Sequence, residues 1–130
     1  GRGNLYVTGG SYATWNGPGE VSPLHDYSGY VDIFVLKLDS SGSYQWHTFY
    51  GSNNADWGNG VATDGSGNVY VTGYSWSNTQ YDYATIKYDS DGNSLWVVRY
   101  NGPESLGDYA NDVAVDTSGN VYVTGESRSA

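Results

Sequence analysis

Residues 56–73 read DWGNGVATDGSGNVYVTG, and residues 108–125 read DYANDVAVDTSGNVYVTG. The two stretches lie 52 positions apart and end on the same seven letters, GNVYVTG. A third copy of that ending, Gly3-Asn4-Leu5-Tyr6-Val7-Thr8-Gly9, stands near the N-terminus. Residues 32–46 (DIFVLKLDSSGSYQW) and 82–96 (DYATIKYDSDGNSLW) form another pair, 50 apart. Ordered blocks at one period mean an internal repeat. The first two GN-YVTG copies are 64 apart, so 14 extra residues are inserted within residues 10–31.

Each period holds four short runs of Val, Tyr, Trp and Ile, the residues that fit a pleated, half-buried surface. Expected strands are Gly60–Thr63 and Asp112–Val115 (strand one), Asn68–Thr72 (strand two), Tyr83–Tyr88 and Ile33–Leu38 (strand three), and Leu95–Tyr100 and Gln45–Tyr50 (strand four). No stretch has the periodicity of an amphipathic helix. Between paired strands an Asp opens a turn and a Gly follows three later: Asp39 and Gly42, Asp64 and Gly67, Asp89 and Gly92, Asp116 and Gly119. That is the chemistry of a type I turn closed by a left-handed residue, with the Asp accepting from turn amides. Four antiparallel strands every 50 or so residues make one blade of a β-propeller. The fold class read here is therefore all-β, a single partial propeller over 1–130, with repeat units at about 3–55, 56–107 and 108–130.

At these residues the chain resembles the bacterial SBBP beta-propeller repeats. Asp108, Ala110, Val113, Ala114, Asp116, Gly119, Asn120, Tyr122, Val123, Thr124 and Gly125 match the first part of their pattern. Lys87, Asp89, Gly92 and Trp96 match the second, as do Lys37, Asp39, Gly42 and Trp46. The resemblance implies a propeller in secreted or surface bacterial proteins and carries no catalytic residues.

The strands amount to about two and a quarter blades, fewer than the four or so that close a ring. Open blade faces rich in Tyr, Val and Trp are apolar surface that soluble proteins cover. Two partners are expected: further copies of the chain, completing a ring or filament, or the rest of a longer propeller. In the first case residues 112–125 would complete the half-blade at residues 32–50, and the N-terminal strand two would be redundant. With no Met at position 1, the sequence is read as a processed product, a fragment, or one lacking its true start.

Composition narrows function. Lys plus Arg total 5 against 14 acids, a net charge of −9. Such a chain lacks the basic face that nucleic acid or an anionic membrane surface requires, and it has no apolar run of spanning length. Without cysteine there is no disulfide, thiolate nucleophile or cysteine zinc site. No cofactor is expected, and no enzyme. The Gly-, Tyr-, Ser- and Asn-rich acidic composition leans toward the outside of the cell.

Among individual residues, Lys37 and Lys87 are repeat mates and read as blade ion pairs, with Asp32 and Asp82 or with Asp56 and Asp108. Asp89, Asp91 and Asn93 alternate like calcium ligands, but Ser94 stands where the loop needs glycine and Tyr100 where it needs glutamate. Turn capping explains them without metal. His47 reads as a satisfied surface or packing histidine. His25, beside Asp26 and near Ser22 and Ser28, lacks a positioned nucleophile. Loop aromatics offer a better binding hypothesis: Trp15, Tyr27, Trp57, Trp76 and Tyr109, with His25, could hold a glycan. The leading expectation is a non-catalytic extracellular module that self-assembles by blade completion; the alternative is a glycan-binding propeller.

Overall fold

The structure, a computed structural model, describes residues 3–104 and 106–129. Nine strands form three antiparallel sheets. The first sheet is β1 (Leu5–Ser11), β2 (Asp32–Leu38) and β3 (Tyr44–Tyr50). The second is β4 (Asp56–Thr63), β5 (Val69–Trp76), β6 (Tyr81–Tyr88) and β7 (Ser94–Tyr100). The third is β8 (Asp108–Val115) with β9 (Val121–Ser127). Among the described residues the middle sheet is a complete blade, the first sheet has no strand one, and the third has no strands three and four.

The turns form as their chemistry dictates. Gly42, Gly67, Gly92 and Gly119 have φ of +82°, +85°, +88° and +83°. In each turn the glycine amide donates to the Asp carbonyl, at 3.0 to 3.1 Å. Asp64 Oδ1 also accepts from the amides of Ser66 and Asn68, and Oδ2 from Asn68 Nδ2 and the Tyr70 hydroxyl. Asp116 repeats the set with Ser118, Asn120 and Tyr122.

The strands run longer than their apolar cores suggest. Strand one begins at Asp56 and Asp108, four residues earlier than expected, and strand two continues to Trp76. The pairing runs on through Gly58 and Gly73, and a bulge in β4 between Gly58 and Gly60 recurs in β8 between Ala110 and Asp112. The bulge residue Asn59 donates to the carbonyl of Ala110 at 2.8 Å, joining one blade to the next. The insertion starts after Ser11, because β1 pairs with β2 through Ser11↔Asp32.

Blades meet along their first strands. β4 packs on β1 and β2, and β8 packs on β4, β5 and β6. At the first junction Ile33, Val35 and Trp46 meet Val69, Val71, Ile86 and Tyr88, all buried. Each fully buried Val or Ile here is worth about 1.5–3 kcal/mol. At the second, Ala110 and Val113 of β8 are buried, and Tyr74 of β5 meets Tyr109 of β8 at 5.0 Å.

Candidate functional site

The repeat lets each open face be read against a covered copy of itself. Val69 and Val71 are fully buried, whereas their mates Leu5 and Val7 are 52% and 43% exposed. Thr48 is 1% exposed, whereas its mate Val98 is 57% exposed. Beside Val98, a groove of ≈ 320 Å³ lies between Tyr83, Thr85, Tyr100 and Val123. It occupies the place where strands three and four of the third blade would pack.

The lysines explain what such a face holds. Lys37 Nζ donates to the carbonyl of Ser90 at 2.8 Å, and Trp46 Nε1 donates to the same oxygen at 3.1 Å. Ser90 sits in the β6–β7 turn of the next blade, so this is a cross-blade clasp. Lys37 also lies over the Tyr6 and Trp46 rings. Among the described residues neither lysine forms the expected ion pair with aspartate. Lys87 lies over the Tyr70 ring at 5.1 Å, and among the described residues no carbonyl meets it or Trp96 as Ser90 meets Lys37 and Trp46. The acids stand elsewhere: Asp82 pairs with Arg99 at 3.5 Å. Asp56 accepts from the Ser52 amide and is held above the usual carboxylate range by burial, with Asp32 adding to the effect.

The insertion closes the outer edge of the first blade. The Leu24 amide donates to His47 O, and the Phe49 amide donates to His25 O, so residues 24–25 flank β3. Trp15 stacks on His47 at 4.0 Å and 13°, and meets Phe34 and Phe49 edge-on. His47 is fully buried: its Nε2 bonds the Trp15 carbonyl, leaving Nδ1 to accept from Tyr44. The Tyr27 hydroxyl shares its one proton between the carbonyls of Tyr12 and Tyr30, each at 3.0 Å. Trp15 and Tyr27 are thus packing groups of the insertion. His25 lines a ≈ 370 Å³ groove between β3 and β7, and Ser28 donates to Asp32 rather than to His25. Asp89 spends its carboxylate on its own turn, accepting from Asp91 N, Asn93 N and Asn93 Nδ2, and those bonds hold it below the usual range.

The other three aromatic candidates converge at the end of the blades where strand one begins. Tyr74 meets Tyr81 at 5.1 Å and Tyr109 at 5.0 Å, and Trp76 meets Tyr81 at 4.9 Å and 76°. Trp57 meets Tyr12 at 5.5 Å, and Tyr12 meets Tyr30 at 6.2 Å. Sequence reasoning missed Tyr12, Tyr30, Tyr74 and Tyr81. The signal was available in the regular spacing Tyr74, Trp76, Tyr81, Tyr83 about the β5–β6 hairpin.

A complete four-stranded sheet flanked by two partial copies of itself, joined through buried faces, defines a β-propeller protein. The beta-propeller repeat family SBBP matches residues 45–78 and 95–130, more than half of the sequence. The chain belongs to that family. It is also similar to an uncharacterized WD repeat-containing protein of Acanthamoeba polyphaga mimivirus, 28% identical over 118 residues. That alignment covers 75% of this chain and 8% of the viral protein, so the chain spans a small part of its relative's length.

Proposed function

We propose that the chain is a non-catalytic extracellular interaction module that self-assembles by blade completion. β2 and β3 of a second copy supply strands three and four to β8 and β9. The carrying observation is the clasp. The turn Asp39-Ser40 is the repeat mate of Asp89-Ser90, so the Ser40 carbonyl of the second copy stands where Lys87 and Trp96 can donate to it. β9 then replaces β1 on β2 in the same register, with Val121, Tyr122 and Val123 in the places of Leu5, Tyr6 and Val7. Nine strands are present and eight are used, so each copy adds two blades.

The sequence has no cysteine, which permits a clean test. Val7 and Leu36 are cross-strand partners, close enough in a paired ladder for a disulfide. In Val7→Cys/Leu36→Cys, oxidation locks β1 onto β2. Sedimentation velocity is expected to show a monomer when oxidised and concentration-dependent assembly when reduced. Equal behaviour in both states overturns blade completion. If the reduced chain stays monomeric but binds a further blade-bearing segment of a longer protein, the self-assembly reading is overturned in favour of intrachain completion.

A further inference from the structure

We infer that the groove at the aromatic end of the blades binds a neutral saccharide chain. The groove, ≈ 340 Å³, is lined by Tyr30, Asn53, Asn54, Ala55, Trp76 and Tyr81. Its volume sits at the low end of ligand sites, about 300–1,000 Å³, and it is open to solvent rather than enclosed. Trp76 and Tyr81 stand nearly perpendicular, giving two apolar walls, and Tyr30, 68% exposed, offers another ring.

Sugars present this pairing of surfaces. The axial C–H face of a pyranose packs on an aromatic ring, and its equatorial hydroxyls need donors and acceptors at the edge. Asn53 and Asn54 supply both from one wall, each side-chain amide carrying a carbonyl and an NH₂. Both are exposed, and neither side chain bonds another described residue. No lysine, arginine or carboxylate lines the groove. With a net charge of −9 behind it, the site disfavours sulfated or uronic sugars, which bring their own negative charge.

The aromatic surface continues past the groove in two rows. One runs through Tyr30, Tyr12 and Trp57, the other through Trp76, Tyr81 and Tyr109. A row of rings crossing from one blade to the next suits several sugar units rather than one. The competing chemistry for an aromatic-walled site is a quaternary ammonium group held by cation–π attraction. The paired amides favour hydroxyls, since an alkylated ammonium has no hydrogen bond to give them.

The test is isothermal titration of the full chain with cellopentaose, mannopentaose, N-acetylchitopentaose and choline, with tryptophan emission as a second readout. One neutral pentasaccharide is expected to bind and to shift the emission. Trp76→Ala is expected to weaken it at least about tenfold, equivalent to one hydrogen-bonded or stacked contact of ~1.4 kcal/mol. Asn53→Ala/Asn54→Ala, exposed changes that leave the blade intact, should do the same. Binding of choline alone, no binding by any of the three sugars, or binding unchanged in the asparagine double variant overturns the inference. Lys87→Met, on the docking face, should leave sugar affinity unchanged, so that loss of assembly and loss of sugar binding are separable.

Discussion

Replacing each lysine by methionine separates what the two repeat mates do. The change keeps an unbranched apolar stem of similar reach and removes the charge and the donors. At Lys37 it removes the 2.8 Å bond to Ser90 O and two cation–π contacts. A charge-assisted bond is worth about 1.5–3 kcal/mol, taken near the low end because Lys37 is only part-buried. The rings add about 0.5 kcal/mol, for a total cost of about 2 kcal/mol to the single chain. At Lys87 only the contact with Tyr70 is lost, about 0.5 kcal/mol. In the proposed assembly Lys87 would gain a Ser40 carbonyl, so Lys87→Met should weaken association by about 1.5 kcal/mol, roughly tenfold in Kd. Urea melts of dilute protein followed by tryptophan emission measure the first pair of numbers, and sedimentation velocity the second. Equal costs at the two positions in the single chain, or association unaffected by Lys87→Met, would refute the reasoning.

Other outcomes follow from the same contacts. Tyr70→Phe removes a buried hydroxyl's bond to Asp64 and should cost about 1 kcal/mol at neutral pH, whereas Tyr122→Phe, 58% exposed, should be near neutral. Burial opposes ionisation of Asp64, but the bonds from Asn68, Tyr70 and Ser66 outweigh it and lower its pKa. The Tyr70→Phe cost is therefore present above the ordinary carboxylate value and should shrink as pH falls through the lowered one; a pH series of urea melts checks this. Asp56 is the opposite case. Its raised pKa gives stability that is full below the ordinary 3.8 and is lost as pH rises through the folded-state value. Asp56→Asn keeps an oxygen for Ser52, so it should raise stability at neutral pH and flatten that decline; a lower melting temperature at neutral pH counts against it. A Cβ on Gly73 would overlap the Trp57 carbonyl, whereas nothing stands near Gly65. Gly73→Ala should cost about 3 kcal/mol or more and Gly65→Ala less than about 0.5 kcal/mol in thermal melts.

The turns were legible because their chemistry is local: Asp64 finds all its partners within six residues. Blade architecture was legible from the period. The bulge at Asn59 was not, since a bulge is a count of two residues against one on a partner strand. Strand two was cut short before Gly73, which is glycine because the Trp57 carbonyl presses against it, not because the strand stops; strand one was cut short of Gly58, where a Cβ would meet the Thr8 and Ile33 side chains of the neighbouring blade. Lys37 was misread because its acceptor is a main-chain oxygen 53 positions away, which no pattern of acidic residues reveals. Trp15 lacked a repeat mate and so looked free for a ligand. Its uniqueness belongs instead to the insertion, whose packing on His47 has no counterpart at Val97.

The near-identity of β1 and β9 has a consequence for when chains would join. In the proposed assembly GNLYVTG and GNVYVTG would compete for one edge of β2. β1 is tethered to that edge, and a short tether acts like a local concentration on the order of millimolar. A free β9 would displace it only when chains are crowded or when the added face tips the exchange. In the proposed assembly the surplus strand would act as a built-in delay, keeping dilute chains apart and letting them link where they accumulate.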